Sequence, residues 1–264
     1  MEARLQSKLI ASLAALAAAA LLTSALAFAE VGQKGSIRVT FSGSIAPVKL
    51  PRTGTAPIGV QLGGKIKTTD PANPPILDRI VLDINKNGQL QTKGLPTCSL
   101  GKLKSLSSAA AKKACGDALI GKGNVTSRVS LPGQGAFASN GSLLAFNGIH
   151  KGRTAIFAQV ASGAPLPLTY VIIFEVKRQG GTFGNSLVGT LPEIASEYGY
   201  ISAFNLNLRR TYTYKGKKMS YASSGCPAPK GFPGATFPLA KASYEFEDGT
   251  VISSTLNREC KARG

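Results

Sequence analysis

Short runs in which apolar and polar residues alternate recur along most of this chain. Ile37, Val39 and Phe41 alternate with Arg38, Thr40 and Ser42, the two-residue period of a strand with one buried face. Ile58, Val60, Leu62 and Ile66 repeat the pattern, as do Ile80, Leu82 and Ile84. Thr154 to Val160 and Leu168 to Val176 are apolar on both faces, which predicts central strands covered on both sides. Ile201 to Tyr214 reads as one long strand, with Leu206, Leu208, Tyr212 and Tyr214 sharing a face. Ala242, Tyr244 and Phe246 run into Asp248-Gly249, a two-residue hairpin signal, and Val251 to Leu256 returns. Gly133 to Gly152 is rich in Gly, Ser and Asn and reads as a long surface loop, a usual place for a binding site.

One stretch follows the helical period instead. Ser105 to Ala114 is rich in Ala and Lys, with Ser105 or Ser107 as the cap, Lys112 and Lys113 at the negative end of the dipole, and Gly116 as the stop. Leu103, Leu106, Ala110 and Ala114 would form its narrow inward stripe. Cys98 and Cys115 bracket it, and a disulfide there would add about 3 kcal/mol by loop closure. About ten strands and one helix predict an all-β fold: a two-layer antiparallel β-sandwich or flattened barrel with one short disulfide-stapled helix.

The first residues do not belong to that pattern. Arg4 and Lys8 precede an Ala- and Leu-rich run from Leu9 to Phe28, and Ala27-Phe28-Ala29 is a small-x-small cleavage box. Residues 1–29 therefore read as a cleaved secretory signal peptide, and residues 30–264 as a single β-rich extracellular domain with no membrane span after cleavage. Four cysteines suit an oxidising compartment. They allow three pairings, of which Cys98–Cys115 with Cys226–Cys260 is the most local.

Charge changes the functional picture more than any motif does. The chain carries 31 Lys and Arg against 13 Asp and Glu, and without residues 1–29 the balance is 29 against 12, or +17. Such an excess attracts polyanions: wall polymers, acidic lipid surfaces, polysaccharides or nucleic acid. Basic and aromatic residues interleave most densely from Arg209 to Lys218, with Tyr221 just beyond. Arg209, Arg210, Lys215, Lys217, Lys218 and Tyr221 are accordingly the candidate polyanion-binding edge. Arg210 falls on the apolar face of that strand and needs a partner or a pocket there. No specific nucleic-acid motif is present.

Other motifs point to less. Asp83, Asn85 and Asn87 with Gly88 match the first half of a calcium loop, but Gly94 stands where the bidentate carboxylate belongs, and a β-hairpin turning at Asn87-Gly88 explains the same residues. Gly180 to Gly184 is glycine-rich without the Lys-Ser/Thr of a phosphate loop. His150 is the only histidine and has no carboxylate near it in sequence. Glu193 with Glu197, and Glu245 with Glu247, are the carboxylate pairs a glycosidase would require. No cofactor motif occurs.

Leu50-Pro51-Arg52-x-Gly54, Gly94-Leu95-Pro96-x-Cys98, Ser220-Tyr221 before Cys226-Pro227, and the terminal Cys260 resemble exported proteins of high-GC Gram-positive bacteria for which no activity is assigned. The resemblance implies location and disulfides, and it carries over no catalytic residue. The reading that follows is a non-enzymatic exported module binding anionic cell-wall polymers or glycans. A carrier of an apolar small ligand between the sheets comes second, and a carbohydrate-active enzyme third.

Overall fold

The computed structural model describes residues 29–104, 107–131, 133–163, 167–193 and 199–263. Nearly all of the segment read as a signal peptide lies outside them, as do Leu106 and Glu197. In chain order the strands begin with β1 (Glu30–Lys34), β2 (Ile37–Ala46), β3 (Lys49–Pro51), β4 (Ala56–Pro57), β5 (Gly59–Thr68), β6 (Leu77–Asn85) and β7 (Gly88–Leu90). Helix α1 (Ser108–Cys115) then precedes β8 (Leu119–Val129), β9 (Phe137–His150), β10 (Arg153–Ser162), β11 (Leu168–Arg178), β12 (Phe183–Thr190) and β13 (Gly199–Leu208). The rest are β14 (Thr211–Tyr214), β15 (Lys217–Ser220), β16 (Ala222–Ser224), β17 (Gly234–Phe246) and β18 (Val251–Arg263).

Thirteen of these form one sheet in the order β1-β2-β5-β13-β8-β9-β10-β11-β12-β6-β17-β18-β3, antiparallel except for the parallel pair β18–β3. The sheet curls until β18 packs on β1 and β2. Gly43 in β2 lets Leu256 of β18 approach so closely that a Cβ would lie 2.9 Å from its Cδ2. Across the same seam Arg258 Nε donates to the Gly43 carbonyl at 2.6 Å. The result is a flattened all-β barrel whose last seam is closed by side chains. Val39, Phe41, Tyr244 and Leu256 fill the interior there, and fully burying each such side chain contributes about 1.5–3 kcal/mol. Two cross-strand aromatics cover bare backbone: Phe174 lies over Gly189, and Phe157 over Gly148, in the manner of aromatic side chains that shield sheet glycines.

Four expectations change. Residues 137–150, within the stretch read as a loop, form β9, a central strand paired on both sides. Its apolar residues Leu143 to Phe146 are consecutive and buried, because a doubly covered strand needs no alternation. The long strand from Ile201 breaks at Arg209–Arg210, and β14 turns back on β15 as a separate hairpin. Helix α1 is capped by Ser107, whose side chain accepts from Ala110 N at 3.3 Å. It buries Ala111 and Cys115, whereas Ala114 is exposed. Finally, β6 and β7 are not hairpin partners: after Asn85 the chain leaves the main sheet, and β7 pairs with β16, which pairs with β4. The Asp248-Gly249 hairpin joins β17 to β18, with Gly249 at φ +80°. Among the described residues no helix is long and apolar enough to cross a membrane.

Because neighbours alternate in direction, every connection belongs to one of two barrel ends. At the first end lie residues 35–36, 69–76, 130–136, 163–167, 191–198 and 247–250, all short links. At the second lie 47–58, 86–118, 151–152, 179–182 and 209–233. The second end therefore carries α1, the strands β3, β4, β7, β14, β15 and β16, and both disulfides, Cys98–Cys115 and Cys226–Cys260.

Candidate functional site

Charge divides along the same line. Among the described residues, the connections of the plain end contain no Lys or Arg and four acids: Asp70, Glu193, Glu247 and Asp248. Those of the elaborated end contain fifteen basic residues (two in 47–58, six in 86–118, Lys151, six in 209–233) against the single acid Asp117. Most of the +17 is thus gathered at one end of the barrel.

Local geometry presents these cations outward. Lys151-Gly152 joins β9 to β10, and Lys215-Gly216 joins β14 to β15. Both pairs have positive φ at both positions (48° and 75°; 47° and 72°), the two-residue turn whose twist matches paired strands. Each turn lifts its lysine into solvent. Lys215 Nζ stands 5.8 Å from the Tyr214 ring centre, within cation–π reach.

The hairpin lies against the segment that follows β7. Tyr212 Oη donates within reach of two carbonyls, Gln91 O and Lys93 O, each at 3.1 Å. Burial pushes the Tyr212 phenol upward from its ordinary range. The Tyr214 ring covers Gly94, where any Cβ would collide with it. Gln91 and Thr92 in turn line an open cleft of about 660 Å³ between β7 and the rim of the main sheet. Lys86, Arg153 and Arg178 reach this cleft from the end of β6, the start of β10 and the end of β11, joined by Gln89, Thr154 and Asn185. None of the described residues lining it is acidic. The nearest acids on the same strands are engaged: Gln179 Nε2 donates to Asp83 Oδ1 at 3.0 Å, and His150 Nδ1 meets Glu175 Oε1 at 3.0 Å.

Of the residues proposed for the polyanion edge, Lys215, Lys217, Lys218 and Arg209 are exposed at this end. Arg210 lies between β13 and β14 rather than on a strand face; its Nη2 donates to the Asp117 carbonyl at 3.0 Å, while its Nε is buried with no partner among the described residues. Tyr221 does not belong to the edge. It is 1 % exposed in the core cluster just before β16, its hydroxyl has no partner among the described residues, and burial pushes its phenol upward. The sequence reading missed Lys86, Arg153 and Arg178, because nothing local marks three isolated cations that the strand register brings to one rim.

The remaining candidates resolve structurally. Asn85 Oδ1 accepts from both Asn87 N and Asn87 Nδ2, and its Nδ2 donates to the Pro238 carbonyl at 2.8 Å. These atoms brace the turn out of β6, and with Asp83 bound to Gln179 they do not converge as calcium ligands. Among the described residues no three His, Cys, Asp or Glu converge on a metal position. Glu245 pairs with Arg79 at 2.7 Å, while the Glu193–Glu197 pair falls partly outside the described residues. His150 does find a carboxylate, Glu175, supplied two strands away across β10. The disulfides mark a protein of an oxidising, extracellular kind of environment. Compared with family models, curated proteins and solved structures, the chain matches none, and its chemistry is read from its own residues.

Proposed function

We propose that this is an exported, non-enzymatic module that holds an anionic polymer, a cell-wall polymer or acidic glycan, against the elaborated end of its barrel. The observation that carries the reading is the charge division: fifteen basic residues against one acid in the connections of one end, and, among the described residues, four acids without a cation in those of the other. Charge spread only for solubility would have no reason to segregate by barrel end. The cleft between Lys86, Arg153 and Arg178 gives the polymer a track, and the Lys215–Lys218 hairpin extends it by way of Gln91–Gly94. Guanidinium groups suit phosphate, sulfate or carboxylate because two N–H donors match two anionic oxygens. Cosedimentation with purified cell walls across a salt series tests this. Binding should weaken steeply as salt rises, through screening and counterion release; binding indifferent to salt contradicts it.

A further inference from the structure

The short strand β7 has two different sides. Outward, Gly88, Gln89 and Leu90 border the basic cleft; inward, the same three residues border an apolar cavity of about 70 Å³. A second apolar cavity of about 80 Å³ follows, sharing Leu62, Leu82, Ile156, Leu187 and Leu208 with the first. The two therefore form one line from beneath β7 into the heart of the barrel. Together they approach the size at which an engineered apolar cavity stays dry and accepts benzene.

Four polar residues, Asn85, Gln89, Ser223 and Ser224, border the first cavity among its apolar ones, and Asn85 Nδ2 and Ser224 Oγ are spent on the carbonyls of Pro238 and Gly225. Ser223, opposite Gln89 in the β16–β7 register, is 6 % exposed, borders the first cavity, and its Oγ has no hydrogen-bond partner. A buried hydroxyl left unpaired is unfavourable, and it marks a place where a ligand's polar atom would be satisfied. β7 is also an edge: it pairs with β16 on one side only, and its free side faces the cleft.

We propose that the barrel binds an alkanoate, with its carboxylate at the inner wall of the basic cleft beside Arg153, Arg178 and Lys86. Its chain passes the free edge of β7 and Ser223 and lies in the two apolar cavities. The head-group half rests on the cleft reading above; the chain half rests on the cavities alone. About six carbons fill the available space, so octanoate is the matching probe: its carboxyl end lies outside β7 and the rest of its chain inside. The acyl chain could reach the protein as a free fatty acid or as part of a lipid. Titration with octanoate and with short-chain phosphatidylglycerol separates the two sources.

The test uses the intact exported protein and calorimetric titration with butanoate, hexanoate and octanoate. Each methylene buried inside strengthens binding about fourfold, so octanoate binds more than about a hundredfold tighter than butanoate. Leu187→Phe, which fills the shared wall of the cavities, removes that chain-length dependence and leaves wall cosedimentation intact. Arg153→Glu with Arg178→Glu weakens both. Should Leu187→Phe fail to fold, nuclear Overhauser contacts from the octanoate methyl to the Ile156 and Leu187 methyl groups give the same answer in the unaltered protein. Affinity independent of chain length, or contacts confined to surface residues, overturns the proposal. Loss of chain-length dependence with wall binding retained in the unaltered protein sinks this inference alone; loss of salt-sensitive wall binding sinks the polymer reading alone.

Discussion

The two ends of the barrel are made from the same strands and share almost nothing else. At the plain end, links such as residues 247–250 turn the chain as briefly as strand pairing allows, and their charges are acidic. At the other end the connections run to 33 residues (86–118), carry every small strand, the helix and both disulfides, and hold fifteen cations. Long connections cost conformational entropy and need their own support, and here each has it. Cys98–Cys115 clips α1 beside β9, where Cys98 N donates to Asn147 O at 2.9 Å. Cys226–Cys260 ties the segment after β16 to β18, and Arg52 donates to the carbonyls of Ala228, Pro229 and Phe232 in the loop that follows. The contrast teaches that net charge alone says little about function here, and its placement on one braced end says much.

The largest expected effect reads burial in both regions, in the barrel body through Tyr170 and Tyr244 and at the elaborated end through Tyr221. Burial raises the phenols of Tyr170, Tyr221 and Tyr244 above the ordinary value of 10.0. Each holds its proton more tightly folded than unfolded. The stability gained from the neutral form is complete below pH 10 and is lost as pH rises above it. Denaturant melts between pH 10 and 12 should show stability falling by about 1.4 kcal/mol per pH unit per buried tyrosine. A flat profile would mean the phenols are solvated.

Next in size are the two clips. Loop closure over sequence separations of 34 and 17 residues predicts losses of about 4 kcal/mol for Cys226→Ser with Cys260→Ser and about 3 kcal/mol for Cys98→Ser with Cys115→Ser. Equal Tm values for the wild type and either pair would show that the elaborated end does not depend on them. Charge reversal then separates the ends directly. Arg153→Glu with Arg178→Glu should lower wall affinity about tenfold or more, whereas Lys67→Glu with Arg128→Glu, far from the cleft, should change it less than about twofold. All four positions are exposed, so stability should move by no more than about 0.5 kcal/mol. The smallest effect belongs to Tyr221→Phe. Removing a buried hydroxyl without a partner should be neutral or stabilising by up to about 1 kcal/mol, with wall binding unchanged; a fall in affinity would return Tyr221 to the edge.

The sequence carried the barrel well and the site poorly, for one physical reason. Half-buried strands such as β2 announce themselves by alternation, and the Asp248-Gly249 turn by the φ its glycine adopts. The disulfides close locally, so proximity in sequence was a sound guide. β9 escaped because its buried core, Leu143 to Phe146, lies among Gly, Ser and Asn with no alternation to read. The hairpin lysines were visible as a cluster, while Lys86, Arg153 and Arg178 meet only through the pairing of β6, β10, β11 and β12. His150 and Glu175 were hidden in the same way. What depends on register cannot be seen before the register is known.

Lysine acylation of the protein, free and bound to purified cell walls, with each site quantified by mass spectrometry, tests the central claim most directly. The account predicts that wall binding shields Lys86, Lys151, Lys217 and Lys218 at the elaborated end and leaves Lys34 and Lys67 toward the plain end as reactive as before. Uniform protection, or protection strongest at Lys34 and Lys67, would contradict it.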